Sequence, residues 1–209
     1  MTDLRRLIVA SQNPGKAREI AALLQGLPVQ VLSLADFPAV GLPEETGESY
    51  AENAAAKARA VSRATGEWAL ADDSGLGVPL LGGAPGLHSA RVADSDGGRI
   101  AWLLAELGSR QSTVDSRQEE REAYFVCVVV LTDPRGEIAG TWEGRVEGRI
   151  LEAPRGAEGF GYDPVFFYVP AGKSFAEMTR EEKAAVSHRG QALRRFREAL
   201  PRLLEAQGA

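Results

Sequence analysis

The sequence has little of the chemistry that defines several large enzyme classes. Only one of its 209 residues is cysteine, and two are histidine. A disulfide framework is therefore excluded, and a zinc site built from cysteine and histidine is not expected. Cys127 lies inside an apolar run at 123–131 and is predicted to be a small core residue. No Gly-x-Ser-x-Gly motif occurs and no Gly-x-Gly-x-x-Gly follows the first predicted strand, so neither a serine-nucleophile hydrolase nor a dinucleotide-binding fold is supported.

Long apolar runs and an excess of positive charge are also missing. The longest apolar run, 123–131, is far shorter than the roughly 20 residues that a transmembrane helix needs. A formal net charge of -5 argues against a general nucleic-acid or membrane surface. No signal peptide is predicted, and we expect a cytoplasmic protein. The hydrophobic content of 44% is enough for a single domain spanning residues 1–209.

Lysine is the scarce cation of this chain. Among 24 basic residues only four are lysine, and three of these, Lys16, Lys57 and Lys183, fall in the polar segments described below. A compact ammonium group suits a phosphate chain beside a metal better than the bulkier, forked guanidinium does. The distribution of lysine therefore favours a phosphate ligand.

The hydrophobic pattern predicts an α/β fold with a mixed sheet, opened into two lobes around a central cleft. Strands are predicted at 7–10, 29–32, 68–71, 123–132, 137–150 and 165–168. Helices are predicted at 16–24, 50–65 and 96–107, shortly after residue 179, and from about residue 187. The polar segment 110–120 is expected to be an exposed connection, and 133–136 the turn of a hairpin.

Two adjacent carboxylates, Asp72 and Asp73, follow the predicted strand 68–71, and Ser74 and Gly75 are expected to turn the chain. Adjacent strand residues point to opposite sides, so the two acids should have different surroundings. A divalent cation together with a general base is one use for such a pair. An ordinary turn with a solvated neighbour is the other.

A polar segment between the first predicted strand and helix is suited to an anion. It consists of Ser11, Gln12, Asn13, Pro14, Gly15 and Lys16. The free N–H groups and the dipole of a helix start attract phosphate, and Lys16 adds charge. Taken alone, these residues fit a capped strand–helix turn better than they fit a phosphate site.

A second polar segment pairs acids with the next helix. Glu44 and Glu45 are hard oxygen ligands suited to Mg²⁺. Asn53 and Lys57 are four residues apart and share a helix face whose other residues are alanines, small enough to let a ligand approach. The alternative is an acidic loop beside a solvated helix face.

Two later segments are suited to a flat ligand. Phe160 lies between glycines and can stack on a base, although a turn with buried aromatics would look the same. If Ser187 caps the last helix, His188 and Arg189 lie in its first turn with Lys183 shortly before them. Their donors could read the polar edge of a base, and the alternative is an ordinary helix start on a wet surface.

Taken in order, these segments resemble the inosine triphosphate pyrophosphatase family. Each motif is weak alone, whereas the ordered set covers nearly the whole chain. The matching segments are 11–16, 44–47, 52–54, 57–59, 72–76, 82–86, 89–91, 160–164, 179–183 and 187–193.

The resemblance implies hydrolysis of non-canonical purine nucleoside triphosphates (ITP, dITP and XTP) to the monophosphate plus pyrophosphate, with Mg²⁺. It implies that Asp73 is the general base for water attacking the α-phosphorus. Glu44 or Glu45 would hold the metal together with Asp73 and Asp72. Lys16, Lys57 and the backbone of 11–15 would grip the triphosphate, since phosphoryl chemistry needs charge neutralisation and positioning.

The resemblance also implies a base pocket and an overall form. Phe160 would stack on the base, and other side chains would read its edge with donors aimed at a 6-oxo group, which adenine lacks. The implied substrate-binding set outside 11–16 is Asn53, Ser74, Phe160, Gly161, Tyr162, Asp163, Lys183, His188 and Arg189. The family fold is an elongated α/β structure with a cleft between two lobes, usually a homodimer.

Two other functions fit the sequence less well. A related pyrophosphatase could prefer pyrimidine or modified-base triphosphates, although Phe160 and the His188–Arg189 pair favour a purine. A nucleotide-binding regulator would not need the acids Asp72 and Asp73. The order of preference among ITP, dITP and XTP, the glutamate that binds metal and the number of ions are left open.

Overall fold

The computed structural model of the chain describes residues 5–110 and 121–206, and its described part has the predicted α/β fold. The strands are β1 Arg5–Val9, β2 Val29–Ser33, β3 Trp68–Gly77, β4 Glu122–Thr132, β5 Ile138–Ile150, β6 Phe166–Tyr168 and β7 Lys173–Ser174. The α-helices are α1 Pro14–Leu23, α2 Tyr50–Thr65, α3 Asp96–Arg110, α4 Arg180–Val186 and α5 His188–Ala206. Of the predicted connection at 110–120, Arg110 belongs to α3, and residues 111–120 lie outside the described residues.

The strands form one mixed sheet in the order β2-β1-β3-β4-β5-β6-β7. β1 pairs in parallel with both β2 and β3, whereas β6 pairs antiparallel with β5 and β7. The prediction of a mixed sheet is therefore confirmed. The two-residue strand β7 has no counterpart in the prediction, because a strand that short leaves no periodic pattern.

Helix starts follow from local side-chain chemistry. Asn13 caps α1 by accepting hydrogen bonds from the N–H groups of Gly15 and Lys16, and Pro14 occupies the first turn. Ser49 caps α2 by accepting from the N–H of Glu52. The spacing of Ser49 and Glu52 also favours a capping box, but this is only half formed, since the Glu52 carboxylate accepts from the Glu48 N–H.

Strand β3 is longer than the sequence suggests. It continues through both acids to Gly77, so the predicted turn at Ser74 and Gly75 is wrong. Leu76 is fully buried, and the ring of Tyr124 lies so close to Gly77 that a β-carbon there would meet it at 2.3 Å. Burial and close packing thus keep the segment extended where its local sequence favours a turn.

The chain divides into two compact units, each with its own core. The first consists of residues 1–73, 127–144 and 189–209. Its core packs β1, α1, the start of β3, the end of β4 and α5 around Leu7, Ile20, Leu70, Val129, Leu193 and Phe196. All of these side chains are almost completely buried.

The second unit consists of residues 74–126 and 145–188. Its core packs the end of β3, α3, the start of β4, the end of β5 and β6 around Leu76, Leu103, Phe125, Val165, Phe166 and Phe175. The ring centroids of Phe125 and Phe166 lie 4.5 Å apart. None of the helices in the described part of the chain is both long enough and apolar enough to cross a membrane.

Replacing Phe196 by alanine should lower the free energy of unfolding by about 3–5 kcal/mol, because it removes a large core side chain and leaves a cavity. Phe196 is 0% exposed and makes an edge contact with Trp142 at 5.1 Å between ring centroids. Val169→Ala is the control, since Val169 is 48% exposed and its loss should cost less than about 0.5 kcal/mol. Denaturant unfolding of both variants measures the difference, and equal midpoints would contradict the assigned core.

Candidate active site

Asp72 and Asp73 lie side by side in β3 and have different surroundings, as predicted. Both are buried, at 2% and 4% exposure. Asp72 contacts Lys16 and Arg189, whereas Asp73 contacts Lys57 and Asn53. The alternation of an extended strand separates the two carboxylates onto opposite sides of the backbone. Their burial excludes the alternative of a solvated turn.

Asp72 is held as an anion. Its Oδ2 accepts hydrogen bonds from Arg189 Nε at 3.2 Å and Nη2 at 3.0 Å, and Lys16 Nζ lies 3.3 Å away. Burial alone would raise the pKa of Asp72, but these cations hold the pKa well below its usual range. Its other oxygen, Oδ1, is buried and has no hydrogen-bond partner among the described residues. Asp72 is thus a fixed negative charge.

Arg189 is buried with its guanidinium directed at two carboxylates. It is 2% exposed, and besides its bonds to Asp72 its Nη1 donates to Glu19 Oε2 at 2.6 Å. The expectation that Arg189 reads the edge of a base stays a prediction. Glu19 was not anticipated as a partner, although it lies one turn beyond Lys16 on α1.

Asp73 has the properties of a proton acceptor. Its Oδ2 accepts from Asn53 Nδ2 at 2.9 Å, and Lys57 Nζ lies 3.8 Å from its Oδ1. Burial raises the pKa of Asp73, and the nearby Glu45 raises it further, which together outweigh the attraction of Lys57. A carboxylate with a raised pKa is a stronger base than an ordinary aspartate.

Lys57 joins the acids of this cluster. Its Nζ donates to Glu45 Oε1 at 2.7 Å. Burial acts to lower the pKa of Lys57, but Asp72, Asp73 and Glu45 together raise it above its usual value. The ammonium therefore stays charged at neutral pH and is suited to neutralising a phosphate oxygen.

The alanines nearest to Asn53 and Lys57 on the helix face differ in exposure. Ala54 is buried, Ala60 is half-buried and Ala56 is exposed. The expectation that this face lets a ligand approach therefore stays a prediction. The polar ends of Asn53 and Lys57 reach Asp73 and Glu45.

The oxygen donors of the first unit fit a hard divalent cation. Glu45 and Asp73 are both carboxylates and converge on Lys57, whereas the side chain of Glu44 is exposed. In the described residues no three acidic, histidine or cysteine side chains are grouped to hold a metal ion. Mg²⁺ is commonly bound through one or two carboxylates, with water and substrate phosphates completing its shell, so the donor set remains suitable.

The segment 11–16 forms the capped strand–helix turn that was its alternative interpretation. Asn13 Oδ1 accepts from Gly15 N at 2.9 Å and from Lys16 N at 3.1 Å, which occupies two of the helix-start donors. Ser11, Gln12 and Pro14 line a cavity of about 480 Å³ whose other wall is formed by residues 33–40. Lys16 extends from this segment to contact Asp72.

A separate polar group lies in the second unit around Phe160. Asp163 and Lys183 are buried, and Lys183 Nζ donates to Asp163 Oδ2 at 2.7 Å. The same ammonium lies 4.8 Å from the centre of the half-buried Phe160 ring. Asp163 Oδ2 also accepts from the Phe160 N–H at 2.8 Å. The segment thus brings together an aromatic face, a cation and a carboxylate, which suits a base with polar edges.

The loop that carries Phe160 leaves no room for a side chain at position 159. Gly159 has φ +79°, and a β-carbon there would meet Asp163 Oδ2 at 2.1 Å. Gly161 donates its N–H to Asp96 Oδ2 at 2.7 Å, a partner that the sequence did not suggest. Tyr162 is buried and donates to the Ser89 carbonyl at 2.9 Å, so in this structure its hydroxyl supports the loop.

The start of α5 is buried and not a wet surface. Ser187 and His188 are 3% and 4% exposed. The His188 ring stacks on Phe125 with centroids 4.6 Å apart. Ser74, another predicted substrate contact, is half-buried. The direct substrate contacts expected of His188 and Ser74 stay predictions.

Cys127 is a core residue, as predicted. It is fully buried, and its Sγ lies 3.8 Å from Asp72 Oδ2. Burial and the charge of Asp72 raise the pKa of the thiol to about 12. The thiol is therefore protonated at neutral pH and is not a nucleophile.

Asp73→Asn should raise the free energy of unfolding at pH 7 in metal-free buffer. The folded pKa of Asp73 is above its ordinary value of 3.8, so the ionised carboxylate destabilises the native state at higher pH. The gain should disappear as pH falls below the unfolded pKa, where both states hold the proton. Denaturant unfolding between pH 3 and pH 8 measures it.

Asp133→Asn is the matched control and should change stability in the opposite direction. Burial would raise the pKa of Asp133, but the N–H groups of Glu137 and Arg135 and the Arg135 guanidinium lower it. Its carboxylate therefore stabilises the native state above the unfolded pKa, and that contribution is lost as pH falls through the lower folded pKa. If both variants shifted stability in the same direction at pH 7, the contrast between these two carboxylates would be wrong.

Comparison with known proteins identifies relatives over nearly the full chain. A model of the Ham1 family matches residues 7–199. The dITP/XTP pyrophosphatase of Synechococcus sp. (strain CC9311) is 48% identical over 201 residues, covering 96% of this chain and 92% of the relative. A dITP/XTP pyrophosphatase of Thermus thermophilus is 50% identical over 196 residues, covering 93% of this chain and 91% of the relative.

Solved structures agree with the sequence relatives. A HAM1 protein from Coxiella burnetii has a TM-score of 0.83 and 37% identity, with 95% of this chain and 100% of that chain covered. A nucleoside-triphosphatase / dITP/XTP pyrophosphatase from Mycobacterium abscessus has a TM-score of 0.69 and 42% identity, with 91% and 98% covered. The predicted family resemblance is thus confirmed: the chain belongs to the Ham1 family.

Proposed function

We propose that this protein hydrolyses non-canonical purine nucleoside triphosphates (dITP, ITP and XTP) to the monophosphate and pyrophosphate. It is a hydrolase acting on acid anhydrides. The proposal is supported by the buried Asp73, because its carboxylate has a raised pKa and lies 3.8 Å from the Lys57 ammonium. Support comes from relatives that are named dITP/XTP pyrophosphatases and are about half identical to this chain.

The chemical step divides between one base and two cations of the first unit. The oxygen of water attacks the α-phosphorus and forms a new P–O bond, and the proton of the water passes to the Asp73 carboxylate. The bond from the α-phosphorus to the bridging oxygen breaks, and pyrophosphate leaves. Lys16 and Lys57 neutralise the charge that develops on the phosphate oxygens. Asn53, which donates to Asp73, keeps the base oriented.

Magnesium is the proposed cofactor. Glu45 and Asp73 would hold it, with Glu44 and Asp72 as the other candidates from the family resemblance. Bound Mg²⁺ neutralises phosphate charge and lowers the pKa of water. Asp72 is already engaged by Lys16 and Arg189, so its first task is to fix these two cations.

The second unit supplies the proposed contacts with the base. Phe160 stacks on the purine, and Lys183 and Asp163, which form a buried ion pair, present a donor and an acceptor to its edge. His188 of the same unit and Arg189, which belongs to the first unit, complete the set that the family resemblance implies. A donor aimed at the 6-oxo group rejects adenine, whose amino group would face another donor.

We also propose an elongated molecule with a cleft between two lobes, a single catalytic domain over the whole chain, a homodimer and a cytoplasmic location. Substrate contacts by residues 11–15, Ser74, Gly161 and Tyr162 are proposed with them.

Pyrophosphate release from a substrate panel tests the function. With Mg²⁺, release should be strongest from ITP, dITP and XTP and weaker from GTP, ATP and dTTP, and EDTA should abolish it. Release of single phosphate would indicate another phosphohydrolase, and no release with tight nucleotide binding would indicate a regulator. Strongest release from dTTP would favour the pyrimidine alternative.

Asp73→Asn should lower kcat for ITP by about 10²- to 10⁴-fold, because an amide cannot accept the proton from water. KM should change little, since the hydrogen bond from Asn53 and the position of Lys57 are retained. Asp133→Asn makes the same chemical exchange in the same unit and should keep the wild-type kcat. Wild-type turnover by the Asp73 variant would remove this residue from the mechanism.

A further inference from the structure

The loop that carries Phe160 is held through its backbone by two carboxylates of the second unit. The Phe160 N–H donates to Asp163 Oδ2 at 2.8 Å, and the Gly161 N–H donates to Asp96 Oδ2 at 2.7 Å. Asp163 belongs to the predicted site. Asp96 is the first residue of α3 and lies 65 residues away along the chain. A distant element therefore fixes the peptide next to the stacking residue.

Asp96 is itself held in one orientation. Arg99 Nη1 donates to its Oδ1 at 2.6 Å, while Oδ2 accepts from Gly161. Arg99 is fixed in turn, since its Nε donates to the Ala90 carbonyl at 3.1 Å. The two oxygens of Asp96 thus have different partners, which determines the plane of the carboxylate. Its side chain is 45% exposed, so core packing does not explain its place.

The loop needs such an anchor because of its glycines. Gly159 and Gly161 flank Phe160 with φ angles of +79° and +63°. Glycine loses more backbone freedom on ordering than any other residue, so a loop built this way explores many conformations unless hydrogen bonds hold it. A ring that stacks on a base must be kept in one orientation before the base arrives, or binding has to supply the ordering.

We propose that Asp96 is a positioning residue for base recognition, which orients the Phe160 ring by holding the Gly161 N–H. The inference rests on the proposed function, in which Phe160 stacks on the purine. Asp96 acts through Phe160 and not on the phosphates. Its loss therefore weakens binding of the base and leaves bond cleavage unchanged.

The experiment compares inhibition of ITP hydrolysis by two products. Inosine monophosphate carries the base, whereas pyrophosphate does not. Asp96→Ala should raise the KM for ITP and the inhibition constant of inosine monophosphate about five- to tenfold. It should leave kcat within about twofold and the inhibition constant of pyrophosphate unchanged. A variant that merely unfolds or loosens the protein would change all four constants.

Three further variants test whether the effect comes from the hydrogen bond between Asp96 and Gly161. Asp96→Asn keeps an oxygen that can accept from Gly161 and should stay within about twofold of wild type. Glu177 makes the same kind of contacts elsewhere, accepting from Ser174 N at 2.7 Å and Arg155 Nη2 at 3.0 Å. Glu177→Ala should leave every constant unchanged. Arg99→Met keeps the Asp96 carboxylate but frees it, and should give a smaller rise even if the alanine variant does not fold.

A double-mutant cycle decides whether Asp96 acts through Phe160. In a Phe160→Ala background, Asp96→Ala should have no further effect on inhibition by inosine monophosphate. Additive effects, or an unchanged inhibition constant in the single variant, would overturn the role of Asp96 while the wild-type activity stands. Absence of pyrophosphate release by the wild-type protein would instead remove the proposed function, and the inference with it.

Discussion

Two adjacent carboxylates inside a buried strand impose a condition on the first unit, because each needs a partner on its own side of the backbone. Asp72 forms ion pairs with Arg189 and Lys16, whereas Asp73 accepts a hydrogen bond from Asn53 and lies beside the Lys57 ammonium. Removing one partner of such a pair would leave a buried charge uncompensated, which is costly. The placement of α1, α2 and α5 around the strand is therefore tied to charge as well as to apolar packing.

The same condition gives the two acids different chemistry. Asp72 is surrounded by cations and remains an anion, whereas burial and the charge of Glu45 make Asp73 a stronger base. A pair of titratable groups whose pKa values are moved apart is the usual basis for dividing structural and proton-transfer roles. The raised pKa of Asp73 lowers the stability of the fold at neutral pH and makes the carboxylate a stronger base.

Local signals in the sequence predicted most elements and most members of both polar groups. The different surroundings of Asp72 and Asp73 followed from strand alternation, which depends only on backbone geometry. The features that the sequence did not predict depend on tertiary packing. The extension of β3 to Gly77 depends on the Tyr124 ring, and the partners Glu19 and Asp96 are recruited across 170 and 65 residues. No pattern within a short window can indicate such contacts.

The loop around Phe160 is attached through main-chain N–H groups, and this has a consequence for how the protein can change. Asp163 binds the N–H of residue 160 and Asp96 that of residue 161, so neither contact depends on which side chain residue 160 carries. Residue 160 can therefore be substituted without loss of either main-chain hydrogen bond. Gly159 cannot be substituted in this way, because Asp163 fills the space that a β-carbon would need. Under the proposed function, the preference among bases can therefore change by substitution at position 160 alone.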